Sequence, residues 1–189
     1  EKAKPAMAAI LAGAPVTVDP ALTWLQPLAK ETGEGEEWVL VTGALTFGRH
    51  EADAAPNQLT FEAQTLVLGV GASRGCPPEE LWDSVERALA GQNLSPQAIA
   101  CIVTIDVKAD ERAIIDLAAR LDRPLRLFTA ADLNAQTHRV ANPSDVVFTE
   151  VGTHSVAEAS ALALAGDDAT LILEQQKTEH ATVDIAQDA

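Results

Sequence analysis

The stretch Gly69–Gly75 (GVGASRG) combines two groups that bind anions, backbone amides left accessible by glycine and one guanidinium. A dinucleotide fingerprint requires glycine at the sixth position of GxGxxG, where this chain has Arg74, and no GxxxxGK[ST] phosphate loop occurs. The stretch therefore predicts a site for a carboxylate or phosphate. The alternative is a tight turn in which glycine serves the backbone geometry alone. The residues expected to contact the anion are Gly71, Ser73, Arg74 and Gly75.

The segment Asp106–Glu111 (DVKADE) carries charges of both signs where a helix is expected to begin. Asp106 suits the N-cap of that helix, and a role at a binding site is equally open. Lys108 gains nothing from the positive end of a helix dipole, which favours a role in binding an anion.

A third segment, Thr149–Ser155, places Gly152 in a turn where a ligand can approach the backbone closely. His154 lies in the same segment and is the one histidine kept as a candidate site residue, and Ser155 is a candidate ligand contact. The sequence SVAE that begins at Ser155 matches a capping box, which favours a structural role for Glu158.

The other histidines and the two cysteines give no sign of a metal centre. The histidines share no HxxxH or HxH spacing, and Cys76 and Cys101 belong to no CxxC motif. We therefore predict neither a metal nor a cofactor. Cys101 falls within a predicted strand and is expected to be buried and inert. Cys76 lies near a helix start, where a thiolate can be stabilised, but the sequence shows no base paired with it.

Alternating strands and helices are predicted to position these segments. Short apolar runs predict strands at 66–70, 99–105, 125–128 and 146–148, and a last pair near an edge of the sheet at 171–173 and 182–185. Helices are predicted to begin at Pro77, after Asp106 and at Ser155. This order is typical of a three-layer α/β/α sandwich with a mostly parallel or mixed sheet. The loops 71–77, 106–109, 129–131 and 149–155 would then share one rim, where we expect Ser73, Arg74, Thr104, Lys108, Thr149 and Ser155.

Residues 1–64 differ in texture from residues 65–189, and they predict an N-terminal α+β appendage to the α/β domain. An alanine-rich stretch at 7–12 predicts a helix that ends at Gly13. Strands are expected at 38–42 and 58–61, separated from the rest by an acidic loop at 31–37.

Composition narrows the function classes. The chain has 189 residues, 13 Lys and Arg against 28 Asp and Glu, and a net charge of −15. Such a charge argues against nucleic acid and against anionic membrane surfaces. No apolar run is long enough to span a membrane, and no signal peptide is evident, so we expect a cytoplasmic protein. The chain does not begin with Met and is expected to be a fragment or a processed chain.

The chain resembles the C-terminal region of the CbiG family of cobalamin biosynthesis. CobE shares this C-terminal region. The resemblance covers about residues 65–187, and residues 1–64 resemble the linking segment that precedes this region in CbiG. The family's pattern often reads GxGCRRG, and here Ala72 stands in place of the cysteine and Ser73 in place of the first basic residue. The motifs that carry the resemblance are Leu66–Gly75 with Glu79-Glu80, Thr104–Glu111, Leu125–Asp132, Val151-Gly152, Ser155–Ala159, Lys177 and Thr182-Val183.

The resemblance implies action on a precorrin or cobalt-precorrin, the tetrapyrrole precursors of vitamin B12. CbiG is similar to a hydrolase that opens the ring-A lactone of cobalt-precorrin-5A and releases acetaldehyde. Such a reaction needs a base, for which Asp106 and His154 are candidates, and oxyanion donors, for which the amides of Gly75 and Gly152 are candidates. Two alternatives remain: a CobE-like module that binds or delivers a precorrin without catalysis, and an interaction domain that contacts other domains or enzymes of the pathway.

Overall fold

The computed structural model describes residues 3–18, 23–30, 39–43, 58–61 and 64–187. They belong to two compact units, Glu1–Ala63 and Gln64–Ala189. The acidic loop expected at 31–37 lies outside the described residues, as does Trp38 in the predicted strand 38–42.

The first unit contains one helix and a small parallel sheet. Helix α1 (Ala3–Leu11) ends at Gly13, whose φ of +92° is readily adopted only by glycine. The strands β1 (Val16–Val18), β2 (Val39–Gly43) and β3 (Gln58–Phe61) pair in parallel in the order β1-β2-β3.

The second unit is built on a five-stranded mixed sheet with the order β6-β5-β4-β8-β7. Its strands are β4 (Leu66–Ala72), β5 (Ile99–Ile105), β6 (Leu125–Phe128), β7 (Thr170–Lys177) and β8 (Ala181–Gln187). The first three run parallel, and β8 runs antiparallel to both β4 and β7. The predicted layered α/β fold with a mixed sheet is confirmed, and the three inner strands β4, β5 and β8 are largely buried, as expected for a sheet covered on both faces.

Five α-helices accompany this sheet: α2 (Pro78–Gly91), α3 (Arg112–Leu121), α4 (Ala130–Ala135), α5 (Asp145–Val151) and α6 (Ala157–Ala165). Helices α2 and α3 pack together against the sheet, and α6 packs on it with α4 beside it. Gly69 in β4 allows α6 to approach, because a Cβ at this position would lie 2.0 Å from the carbonyl oxygen of Ala157.

The predicted strand at 146–148 is wrong, because these residues lie in helix α5. The hydroxyl of Ser144 caps its start by accepting a hydrogen bond from the amide of Val147, and Gly152 ends it with a φ of +77°. A run of only three apolar residues is too short to show a period, so the sequence pattern cannot distinguish a buried strand from a short helix here. The segment 149–155 is therefore not a loop after a strand: residues 149–151 are the last turn of α5, and the rest belongs to the connection from α5 to α6.

The predicted capping box at Ser155 is also wrong. Helix α6 follows Val156 and has no side-chain cap. Glu158 is buried, and its carboxylate accepts hydrogen bonds from the amides of Ala141 and Asn142, 2.5 and 3.2 Å away. Glu158 thus fixes the segment before α5 rather than the start of its own helix.

The predicted final pair of strands is present, but only β7 lies at an edge of the sheet. Strand β8 lies between β4 and β7 and is almost wholly buried. Because β8 runs antiparallel to β4, the turn of the β7–β8 hairpin lies where β4 and β5 end, beside the loops that follow these two strands.

Candidate functional site

A cleft of about 710 Å³ opens in the second unit, where strands β4 and β5 end. Its walls are formed by the end of β4 with the loop after it, the turn after β5, helix α5 with the residues flanking it, and the β7–β8 hairpin. Most of the site residues expected from sequence line it, namely Gly71, Ser73, Arg74, Lys108, His154 and Ser155.

The two expected cations, Arg74 in the loop after β4 and Lys108 in the turn after β5, both line the cleft. The guanidinium of Arg74 donates hydrogen bonds to the carbonyl of Val107 and to Oδ1 of Asp110, the latter at 2.5 Å. The hydrogen bond from Arg74 lowers the pKa of Asp110 and raises that of Arg74. The charge of Arg74 is thus shared with a neighbouring carboxylate, although its side chain remains exposed.

Lys177, at the end of β7, adds a third cation to the cleft. Neither Lys177 nor Lys108 forms an ion pair with any side chain that the structure describes. Both ammonium groups therefore remain available to an anionic ligand.

Two of the expected contacts, Gly75 and Gly152, do not line the cleft. The amide of Gly75 donates to the buried carboxylate of Glu111 at 3.3 Å, and the amide of Gly152 donates to the carbonyl of Phe148 at 2.9 Å. Both amides are committed to the protein, so neither serves as the oxyanion donor expected from sequence. The φ of +75° at Gly75 shows that the turn does require glycine.

Asp106 is exposed outside the residues that line the cleft. It is the first residue of a 3-10 turn, Asp106–Lys108, and its side chain caps neither that turn nor α3, which follows Glu111. The N-cap interpretation of Asp106 is therefore wrong.

Thr104 and Thr149 do not reach the cleft. Thr104 is buried and its hydroxyl donates to the carbonyl of Val70, 2.7 Å away in the neighbouring strand. The hydroxyl of Thr149 donates to the carbonyl of Asp145 within helix α5. Each hydroxyl is used to satisfy local backbone rather than a ligand.

His154 lies on the cleft wall formed by α5 and its flanks. Its ring stacks on Phe148 with 4.5 Å between the ring centroids, and Nδ1 is 3.6 Å from Oδ1 of Asp145. Because the Asp145 carboxylate is fully exposed, water competes for it and it holds the imidazole only loosely.

Sequence reasoning missed His180, at the turn of the β7–β8 hairpin, and Glu80, in the first turn of α2. The ring Nδ1 of His180 is 2.9 Å from Oε2 of Glu80, and the ring lines the cleft. Ser73 joins this pair to the β4 loop, since its amide donates to the carbonyl of His180 at 2.8 Å. The 100 residues between His180 and Glu80 leave no local spacing that could have revealed the pair.

Sequence reasoning also missed Asp184, a buried carboxyl of β8 that lines the cleft. Burial raises the pKa of Asp184 to about 7, although a hydrogen bond from the amide of Gln175 opposes this shift. That amide is 2.5 Å from Oδ1, and Gln175 adopts a φ of +45° where the register of β7 shifts. A carboxyl with a raised pKa in a cleft is a common feature of functional sites.

Cys76 is not suited to nucleophilic chemistry. It is buried, and burial raises the pKa of its thiol to about 11. At neutral pH the side chain is therefore the unreactive thiol, in spite of its position before α2. Cys101 is likewise buried within β5, as expected.

Apolar side chains complete the cleft. Val107 and Val146 are among the most exposed large apolar residues of the described chain, and both line it, with Val147, Val151 and Val156 nearby. Within the described residues, no group of three or more His, Cys, Asp or Glu side chains could hold a metal ion. None of the described helices has the length and apolar character needed to cross a bilayer.

Comparison with known proteins identifies the class. A family model described as "Cobalamin synthesis G C-terminus" matches residues 66–186. Protein CobE of Sinorhizobium sp is 39% identical over 139 residues, which are 74% of this chain and 87% of that protein. The cobalt-precorrin-5A hydrolase of Priestia megaterium is 27% identical over 138 residues, which are 73% of this chain but only 36% of that protein. The crystal structure of CobE, a protein from the cobalamin biosynthetic pathway, matches with a TM-score of 0.62 and 35% identity, covering 65% of this chain and 89% of that chain.

The fold and these relatives define an α/β domain of cobalamin (vitamin B12) biosynthesis. The chain belongs to the cobalamin synthesis G C-terminus family, as its motifs predicted. Its match with CobE covers most of both proteins.

Proposed function

We propose that the cleft of residues 64–187 binds a precorrin or cobalt-precorrin, and that the chain acts as part of a cobalt-precorrin-5A hydrolase-like protein. The proposed reaction opens a ring-A lactone and releases acetaldehyde. The proposed place of action is the cytoplasm, together with other domains or enzymes of the pathway.

The observation that carries the proposal is the pairing of three cations with apolar walls in one cleft of an acidic protein. A precorrin has a macrocycle with apolar faces and with acetate and propionate groups around its edge. Arg74, Lys108 and Lys177 suit the carboxylates, and the exposed Val107 and Val146 suit the face of the ring. The same cleft is lined by Glu150 and Glu179, so in a chain of net charge −15 the three cations attract an anion at short range only.

Three further expected contacts support the same site, whereas Gly75 and Gly152 do not line it. Gly71, Ser73 and Ser155 line the cleft beside the cations. Of the two candidate bases from sequence, His154 lies where a ligand would contact it, and Asp106 does not line the cleft. We therefore keep His154, and not Asp106, as a candidate for proton transfer.

A second candidate function, a CobE-like module that binds or delivers a precorrin without catalysis, is favoured by sequence identity. The chain is 39% identical to CobE against 27% to the hydrolase, and it spans 87% of the length of the former and 36% of that of the latter.

A titration of the chain with cobalt-precorrin-5A, followed by the absorbance of the macrocycle, tests the binding site. Replacing one ion pair at an exposed site changes the free energy of binding by up to about 1 kcal/mol, so Lys108→Ala is expected to weaken binding by about fivefold. Arg87→Ala is a matched control, since Arg87 is exposed on α2 outside the cleft. Unchanged affinity in both Lys108→Ala and Arg74→Ala would reject the cleft as the binding site.

Acetaldehyde measured after the same incubation separates the two functions. Release by the chain alone supports the hydrolase proposal. Tight binding without release supports the CobE-like module.

A further inference from the structure

Glu80 and His180 form a hydrogen-bonded unit in which the carboxylate is held from three directions. Oε1 of Glu80 accepts hydrogen bonds from the hydroxyl of Thr178 at 2.6 Å and from the amide of His180 at 2.8 Å, and Oε2 is 2.9 Å from Nδ1 of His180. The hydrogen bond from Thr178, followed by those from His180, lowers the pKa of Glu80. Glu80 is therefore ionised at neutral pH and accepts a hydrogen bond from Nδ1–H of His180.

This arrangement fixes the chemistry of the imidazole. With Nδ1 donating to a carboxylate, the neutral ring carries its free lone pair on Nε2. Nε2 has no hydrogen-bond partner in the part of the chain that the structure describes, the side chain is 39% exposed, and His180 is one of the residues that line the cleft. A base held in this way by a carboxylate is the arrangement that orients histidine for proton transfer in hydrolases.

His154, the other histidine of the cleft, lacks such support. Its nearest carboxylate oxygen, on Asp145, is 3.6 Å away and fully exposed, whereas that of Glu80 is 2.9 Å from His180 and mostly buried. The hairpin backbone also binds Glu80 directly, so the ring and its carboxylate move together.

We infer that His180 is the catalytic base of the cleft and that Glu80 is its positioning residue. This inference rests on the proposed hydrolase function. In the step we assign, Nε2 of His180 takes a proton from water while the water oxygen bonds to the lactone carbonyl carbon. The ring C–O bond of the lactone then breaks, and the imidazolium returns its proton to the leaving alkoxide, giving a carboxylic acid and an alcohol. Acetaldehyde then leaves from that alcohol: its O–H proton is lost, the C–C bond to the macrocycle breaks, and the macrocycle takes up the electron pair and a proton.

The test uses the full chain with cobalt-precorrin-5A, and it measures affinity by absorbance and acetaldehyde release as a function of pH. Loss of a general base lowers a rate by about 10²- to 10⁴-fold, which we expect for His180→Gln with affinity within about threefold of the wild type. Glu80→Gln is expected to lower the rate by about 10- to 100-fold and to move the acidic limb of the pH profile to lower pH, because an amide stabilises the imidazolium less than a carboxylate does.

Two further variants complete the experiment. His138→Gln is the control, since His138 is exposed outside the cleft, and it is expected to match the wild type. Added imidazole is expected to restore part of the rate to His180→Ala, which a merely structural role of His180 would not allow.

Three results would overturn the inference. The first is a His180→Gln variant that keeps the wild-type rate and pH profile while the wild type is active, which would leave the proposed function standing. The second is a loss of rate in His154→Gln but not in His180→Gln. The third is a wild-type chain that binds the ligand and releases no acetaldehyde at any pH, which would reject the hydrolase function together with the base.

Discussion

The guanidinium of Arg74 and the carboxylate of Asp110 lie 2.5 Å apart on the rim of the cleft, and both side chains are exposed. Asp110 therefore competes with any carboxylate ligand for the same cation. The pair holds Arg74 in place and at the same time reduces its attraction for an anion.

Asp110→Asn is expected to strengthen binding of cobalt-precorrin-5A by about two- to fivefold, because an exposed ion pair contributes up to about 1 kcal/mol. The gain should shrink between 50 and 500 mM salt, where exposed charges are screened. Asp116→Asn is the matched control, since Asp116 forms its ion pair with Arg112 away from the cleft. Weaker binding in Asp110→Asn would instead mean that Arg74 needs Asp110 for its position.

Gly69→Ala is expected to lower the free energy of unfolding by about 3 kcal/mol or more, because the new Cβ would lie 2.0 Å from the carbonyl oxygen of Ala157 and α6 would have to shift. Gly91→Ala is the control, since a Cβ there meets no atom within 4 Å and the helix should gain about 0.5 kcal/mol. Chemical denaturation of both variants measures the difference. Equal stability of the two would show that α6 does not approach β4 as closely as described.

Asp184 is expected to make the fold less stable as the pH rises. Burial raises its pKa from 3.8 to about 7, so protons bind the folded state more tightly than the unfolded one. The stability associated with this group is complete below pH 3.8, falls as the pH rises towards 7, and is lost above that value. Between pH 5 and pH 8 the wild type should lose roughly 2–3 kcal/mol that Asp184→Asn does not lose.

Urea denaturation of both proteins at a series of pH values measures this difference. The asparagine side chain keeps an oxygen that can accept the hydrogen bond from the amide of Gln175, so the bulge in β7 should be retained. Parallel pH curves for the two proteins would contradict the assigned titration of Asp184.

Cys76 is expected to resist alkylation in the folded chain. With a thiol pKa of about 11, only a small fraction is thiolate at pH 7.5, and the side chain is buried as well. Iodoacetamide labelling read by mass spectrometry should modify Cys76 slowly in the native protein and rapidly in urea. Fast native labelling would restore Cys76 as a candidate nucleophile.

The strands and the binding rim were the most predictable parts of the second unit. The apolar runs at 66–70 and 99–105 are long and bounded by turn residues, so their period and burial agree. The meeting of Arg74 and Lys108 followed from topology, since loops after adjacent parallel strands lie at the same edge. The run at 146–148 was too short to show a period, and its caps at Ser144 and Gly152 determined a helix instead.

The polar pairs of the cleft could not be predicted in the same way. Glu80 and His180 come from a helix and a hairpin, and only the antiparallel insertion of β8 beside β4 brings them together. The raised pKa of Asp184 depends on its burial, and Asp184 is buried because the register of β8 pairs it with Gly69 of β4. In both cases the hydrogen bonds and burial of the side chain depend on tertiary packing, which cannot be predicted from the spacing of residues in the sequence.

Strand β8 lies inside the sheet, between β4 and the edge strand β7, although it is the last strand that the structure describes. During synthesis, the edge of β4 must therefore wait, unpaired, until residues 181–187 have left the ribosome. An open edge of this kind can pair with another chain, so slow completion of the polypeptide should favour aggregation. Until the β7–β8 hairpin has formed, the cleft also lacks the wall that carries Lys177, His180 and Asp184.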